Sequence, residues 1–166
     1  MLKPRIIPCL LVHNNGLYKT KNFRDPKYVG DPLNAVRIFN EKEVDELIIL
    51  DIDKTKNNQE PDYCFIEKIA TQCRMPLCYG GGVRTLSQVK KLISLGVEKV
   101  GISSNAIYNP NLIFEASQTV GSQSIVFIMD IKKTGVIKNS YKIFTSNGKK
   151  NTGLDPIEIS KKMESL

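Results

Sequence analysis

Four stretches carry groups that could do chemistry, and each stands at the end of an apolar run. Asp51 closes Glu46-Leu-Ile-Ile-Leu-Asp51, and Asp130 closes Ser124-Ile-Val-Phe-Ile-Met-Asp130. Gly80-Gly81-Gly82 follows Met75-Pro-Leu-Cys-Tyr79, and Ser103-Ser104-Asn105 follows Lys99-Val-Gly-Ile102. Carboxylates grouped at one face tune each other's proton affinity and can act as general acid and base. Consecutive glycines between a strand and a helix let backbone amides approach an anion with no Cβ in the way, and a helix N-terminus adds a favourable dipole. The glycine turn and Ser103-Ser104, at two successive strand ends, therefore point to one phosphate group. Each feature also has a plainer reading: triple glycine makes a tight turn, and an aspartate after a strand caps a loop. Lys19, in a polar stretch, reads more simply as a solvated lysine than as a substrate contact. Arg5, Glu46 and Lys99 stand at the opposite ends of three runs, where mixed charge normally forms a structural ion-pair cluster. His13 reads as a loop residue.

These groups need elements to position them. Arg5-Ile-Ile-Pro-Cys-Leu-Leu-Val12 reads as a first strand. His13-Asn-Asn-Gly16 signals a turn, and the polar stretch to Gly30 is too long for a tight connection, so a mobile loop is expected. Asp31-Pro32 opens a helix that buries Val36 and Phe39. Pro61 to Cys73 has helical spacing, Thr85-x-x-Gln88 is a capping box ahead of Leu86, Val89 and Ile93, and Gly96 ends that helix. A further helix starts at Asn109-Pro110, a hairpin is expected from Lys132 to Phe144, and Asp155-Pro156-Ile-Glu158 caps a last helix. Strand then helix, repeated every ~25–30 residues with near-continuous apolar strands, is the pattern of a parallel sheet covered on both faces. A doubly wound sheet and a (β/α)8 barrel both fit. The polar groups at successive strand C-termini favour the barrel. A barrel takes eight units and ~250 residues, so the expectation is a single domain, 1–166, holding an incomplete (β/α)8 TIM barrel of about five βα units. Two unpaired parallel edges are an aggregation hazard, which predicts a truncated copy, a missing complementing partner, or an unstable monomer.

The chain has 166 residues, 41% hydrophobic and 25% charged, the composition of an ordinary soluble domain. Its formal charge of +7 favours acidic or phosphorylated partners. The basic residues are scattered and form no arm or stripe, which argues against nucleic-acid binding. Cys9, Cys64, Cys73 and Cys78 form no CxxC pair and only His13 could accompany them, so no metal site and no cofactor are expected. Reduced thiols and the absence of a membrane-length apolar run place the chain in the cytoplasm.

Arg5-Ile-Ile-x-Cys-Leu, Asn22-Phe23, Gly30-Asp31-Pro32, Asp45-Glu46-Leu47, Leu50-Asp51-Ile52, Gly80-Gly81-Gly82, Asn109-Pro110, Gly121-Ser-Gln123 and Gly148-Lys-Lys-Asn-Thr-Gly153 together resemble the cyclase subunit of imidazole glycerol phosphate synthase, the HisF family. The resemblance runs across the whole chain. It implies a (β/α)8 barrel with two phosphate sites at its top. It also implies pairing through the bottom with a glutamine amidotransferase, HisH, whose ammonia crosses the barrel. By that resemblance Gly81, Gly82, Ser103 and Ser104 fall where one phosphate of a small-molecule substrate is held. Lys19 and Asp130 match the active-site lysine and the second catalytic aspartate, and Asp51 stands at the same mouth. Arg5, Glu46 and Lys99 match three of the four residues of a charged gate for ammonia; the fourth, a glutamate, falls at or just past the last residue.

One position departs from the family: the first catalytic aspartate is Leu11, which can neither accept nor donate a proton. By general acid–base estimates such a loss costs ~10²–10⁴ in rate. With the gate kept and His13-Asn14-Asn15-Gly16 in place of the family's Asp-Gly, the chain resembles the HisF-like branch found with surface-polysaccharide sugar amidation. The expectation is a barrel that receives ammonia from a HisH-type glutaminase. The alternatives are a genuine histidine-biosynthesis cyclase, forming imidazole glycerol phosphate from a phosphorylated ribonucleotide and ammonia, and an inert docking fragment.

Overall fold

The computed structural model describes residues 4–135 and 140–166. In chain order the first elements are β1 (Cys9–His13), β2 (Gly16–Lys21), β3 (Arg24–Gly30), α1 (Pro32–Glu41), β4 (Leu47–Asp51), α2 (Tyr63–Gln72), β5 (Leu77–Gly80) and α3 (Leu86–Ser94). They are followed by β6 (Lys99–Ile102), α4 (Ser104–Tyr108), α5 (Asn111–Val120), a 3-10 turn at Ser122–Ser124 and β7 (Ile125–Phe127). The last are β8 (Asp130–Lys133), β9 (Tyr141–Thr145), β10 (Lys150–Asn151) and α6 (Pro156–Glu164).

The main sheet runs β3-β2-β1-β4-β5-β6-β7, and β1, β4, β5, β6 and β7 pair parallel. Among these parallel strands, spatial order equals chain order. A doubly wound sheet reverses its order at a switch point, whereas a barrel never does, so the topology is of the barrel type. The second sheet, β10-β9-β8, is a small antiparallel unit following β7. Val12, Leu47, Ile49, Leu77, Tyr79, Val100 and Ile102 alternate along their strands and join the helix residues Val36, Ile66, Val89, Leu92, Leu112 and Ala116 in one core. The intervening positions, among them Leu11, Leu50, Gly80 and Gly101, belong to the other face of the sheet, as a period of two requires.

Local chemistry accounts for the helices. Asp31, Asp62 and Asp155 accept first-turn amides of α1, α2 and α6, with proline opening α1 and α6. Thr85 and Gln88 close a reciprocal capping box on α3. Val36, Val89 and Leu92 are fully buried, and each such side chain stabilises by about 1.5–3 kcal/mol relative to exposure.

Three expectations are corrected. The stretch from Gly16 to Gly30 is a β-hairpin rather than a mobile loop. Asn14 and Asn15 both have left-handed φ, 46° and 59°, and set His13 opposite Gly16. Asn22 and Phe23 repeat the device at 51° and 63°, setting Lys21 opposite Arg24. Two-residue turns of this hand match the twist of the strands they join. His13 is accordingly the last residue of β1. Finally, the run 124–130 does not form one strand: after Phe127 only the Ile128 amide still reaches Ile102 O, at 3.0 Å, and Asp130 opens β8. The helix α4 was not foreseen. Part of the expected hairpin turn, residues 136–139, lies outside the described residues, while its two strands pair from Asp130↔Phe144 to Lys133↔Tyr141.

Candidate functional site

The C-terminal ends of the parallel strands surround two adjoining cavities. The smaller, about 80 Å³, is lined by Asp51, Thr55, Gly80, Gly81, Gly82, Ser103, Ser104, Asn105, Asp130 and Asn147. That is several times the space one water needs. The larger, about 330 Å³, is lined by Leu11, Thr20, Asn22, Phe23, Leu50, Ile52, Asp130 and Asn147. Leu50, Ile52, Asp130 and Asn147 border both. One side of the mouth therefore offers glycine backbone and hydroxyls, and the other offers Leu11, Phe23, Leu50 and Ile52.

The glycine turn follows from close packing. A Cβ on Gly81 would meet Asp51 O at 2.5 Å, and one on Gly82 would meet Gln59 O at 2.7 Å, with φ at 131° and 73°. The Gly82 amide donates to Thr55 Oγ1 at 3.1 Å. The turn is thus required by the loop after β4, and it also lines the smaller cavity. Asp51 is 6% exposed and its Oδ1 accepts from the amides of Asp53 at 3.0 Å and Lys54 at 3.3 Å. Burial raises its carboxyl above the usual range, and these hydrogen bonds oppose the rise. Asp51 therefore caps its loop. Asp130 is also raised by burial, against a hydrogen bond from the Gly148 backbone and the charge of Lys132. It stands where the two cavities meet, the position of a group that could hold or pass a proton.

Residues not singled out from sequence complete the rim. Asn147 donates from Nδ2 to Ile52 O at 2.7 Å, and the Ser146 amide reaches Ser104 Oγ at 3.4 Å, tying the second sheet to the main one. Lys132 donates to Gly148 O, with its ammonium 5.0 Å from the ring centroids of both Phe23 and Phe144. His13 Nδ1 meets Asp53 Oδ1 at 2.7 Å, while Asp53 Oδ2 accepts the Asn14 amide at 2.8 Å, fastening the start of the hairpin to the end of β4. The signal for the hairpin contacts was the pair of asparagine-led turns. Nothing in local spacing marks Asn147 or Lys132, whose contacts with Ile52 and Phe23 each span more than 90 residues. Lys19 is exposed on β2, opposite Lys27, and is not among the residues lining either cavity; Thr20 is.

At the other end of the strands Glu46 is 3% exposed, and its Oε2 accepts from Arg5 Nη2 at 2.5 Å and Lys99 Nζ at 2.6 Å. On the neighbouring strand β5, burial and the nearby Glu46 charge push the Cys78 thiol up to about 12. Among the described residues no group of three or more His, Cys, Asp or Glu side chains gathers as metal ligands, and no helix is long and apolar enough to cross a membrane.

A parallel sheet in barrel order, with a glycine-lined cavity and a buried carboxyl at its C-terminal face, defines a barrel-type α/β protein. A family model described as histidine biosynthesis protein matches residues 5–166. The chain is 51% identical over 166 residues to a Vibrio vulnificus protein carrying the provisional name imidazole glycerol phosphate synthase subunit hisF3, covering all of this chain and 64% of that one. A Leptospira interrogans protein provisionally named as subunit HisF is 52% identical over 161 residues, 97% of this chain and 63% of its own length. A Pseudomonas aeruginosa protein provisionally named hisF2 is 48% identical over 164 residues, with coverage of 99% and 64%. The chain belongs to the histidine biosynthesis protein family, as a homologue of the imidazole glycerol phosphate synthase subunit HisF. It spans a little under two thirds of the length of these relatives.

Proposed function

We propose that the protein to which this chain belongs receives ammonia from a HisH-type glutaminase and passes it on for amidation of a surface-polysaccharide sugar, without closing an imidazole ring itself. The observation that carries this reading is that Leu11 and Asp130 line one cavity, in which Asp130 is the sole carboxylate among the lining residues. Ring closure and cleavage both move protons, and a leucine side chain can neither donate nor accept one. Ammonia delivery makes no such demand. Arg5, Glu46 and Lys99 serve as the gate at the strand starts. The sheet face bearing Leu50, Gly80, Gly101 and Ile128 supplies the apolar lining that a route for neutral ammonia needs, with the Ile128 side chain packed on both glycines. Gly81, Gly82, Ser103 and Ser104 hold the phosphate of a small ligand at the exit, and residues 1–166 act as part of one barrel domain.

A second reading, the histidine-pathway cyclase, is favoured by Asp130 at the junction of the cavities and by the names of the relatives. The test uses the full-length protein mixed with a HisH-type glutaminase, following glutamine hydrolysis and imidazole glycerol phosphate together. The proposal expects stimulated hydrolysis and no imidazole product. Imidazole glycerol phosphate formed at a rate matched to hydrolysis overturns it in favour of the cyclase. Stimulation that persists without any ammonia transfer to an acceptor supports a docking role alone.

A further inference from the structure

Beside the mouth lies a third cavity, about 700 Å³, lined by Lys21, Asn22, Phe23, Arg24, Asp25, Ile131, Lys132 and Lys133. Four cations face one carboxylate there. They come from two elements far apart in the chain, the tip of the β2–β3 hairpin and β8, so their convergence is a product of the fold. Among the described residues none of the four forms an ion pair; the pairs present are Arg5–Glu46, Lys99–Glu46 and His13–Asp53. Lys132 is pinned between the rings of Phe23 and Phe144 and by Gly148 O, which fixes one charge in place.

We propose that this basic cleft is a subsite for the diphosphate group of a small-molecule ligand whose remaining part enters the mouth; the proposal rests on the reading of the mouth as a site for phosphorylated molecules. Asn22 and Phe23 line both the cleft and the apolar cavity, and that cavity shares Asp130 and Asn147 with the glycine cavity. One elongated ligand can therefore cross from the cleft over the Phe23 ring to Asp130. Gathering four like charges with Asp25 as the one carboxylate in the lining is unfavourable unless an anion is bound there. A diphosphate fits better than a monophosphate because it spreads its charge over two tetrahedral groups, as the cations are spread over the hairpin tip and β8. Arg24 supplies a planar fork for bidentate contacts, and the lysines supply point charges. An acidic protein segment would satisfy the charges too, but it makes no use of the passage from the cleft into the mouth.

The experiment is amide chemical-shift mapping of the whole chain at constant ionic strength, with inorganic pyrophosphate and inorganic phosphate as separate probes. Pyrophosphate is expected to shift the amides of Lys21–Asp25 and Ile131–Lys133, and the combined Lys21→Gln, Arg24→Gln, Lys133→Gln variant to bind it at least tenfold more weakly. These side chains are exposed, and retention of the remaining amide spectrum shows that the variant is folded. Pyrophosphate that shifts only Gly80–Gly82 and Ser103–Asn105, an unchanged affinity in the variant, or tighter binding of a glutamate-rich peptide than of pyrophosphate overturns the proposal. Phosphate that fails to shift Gly80–Gly82 counts separately, against the reading of the mouth.

Discussion

Lys99 Nζ donates to Glu46 Oε2 at 2.6 Å, on a carboxylate that is 3% exposed and already accepts from Arg5. The two cations are not equivalent, because the Arg5 side chain is 54% exposed and that of Lys99 27%. Removing Lys99 leaves a buried charge with one exposed partner. Lys99→Met is therefore expected to destabilise by about 3 kcal/mol, the lower end for breaking a buried pair. Arg5→Ala is expected to cost about 0–1 kcal/mol, as for an exposed pair. Urea unfolding of both variants checks the order; equal losses contradict it.

Asp130 carries its own pH signature. Burial holds its folded-state proton to a higher pH than the ordinary 3.8, so between those two values the folded chain binds more protons than the unfolded one. Stability then falls as pH rises through that window and stays lower above it. Asp130→Asn removes this loss, so the variant is expected to have the higher Tm at neutral pH, with the difference shrinking as pH falls below 3.8. Thermal melts across that range read the sign directly.

The cysteines should separate by reactivity. Cys64 is exposed, whereas Cys78 is fully buried with its thiol pushed up to about 12. The thiolate is the nucleophile. Iodoacetamide at pH 8 followed by peptide mass spectrometry is expected to modify Cys64 in the native chain and Cys78 only after denaturation.

Gly101 is small because Ile128 occupies the space above it: a Cβ there would meet Ile128 Cδ1 at 2.4 Å. Gly101→Ala is expected to cost about 1–3 kcal/mol as an overpacked site. Combining it with Ile128→Val should recover part of that loss, giving a non-zero coupling in a double-mutant cycle.

Much of this fold could be read from local chemistry. The Asp-Pro starts of α1 and α6, the Thr85–Gln88 box and the apolar strands β4, β5 and β6 each state their conformation within a few residues. Arg5, Glu46 and Lys99 were legible as a charged set because each heads an apolar run, although β1 itself begins only at Cys9. The hairpin was not, because Gly16–Gly30 is mostly exposed and polar, and the left-handed Asn-Asn and Asn-Phe pairs carry the information that a polarity pattern lacks. The early end of β7 and the contacts of Asn147 and Lys132 depend on partners distant in the chain, which no local window contains. Lys19 shows the converse: its match to a family position is clear in the sequence, yet it stands exposed and outside both cavities.

Leu11 lines the same cavity as Asp130, and we propose that this leaves the site without the proton transfer a cyclase needs. This proposal is tested most directly by assaying the full-length protein, with ammonia supplied, for imidazole glycerol phosphate formation from the phosphorylated ribonucleotide, alongside its Leu11→Asp variant. The account predicts no detectable product from the native protein and a gain of product in the variant. Turnover by the native protein that Leu11→Asp leaves unchanged would contradict it.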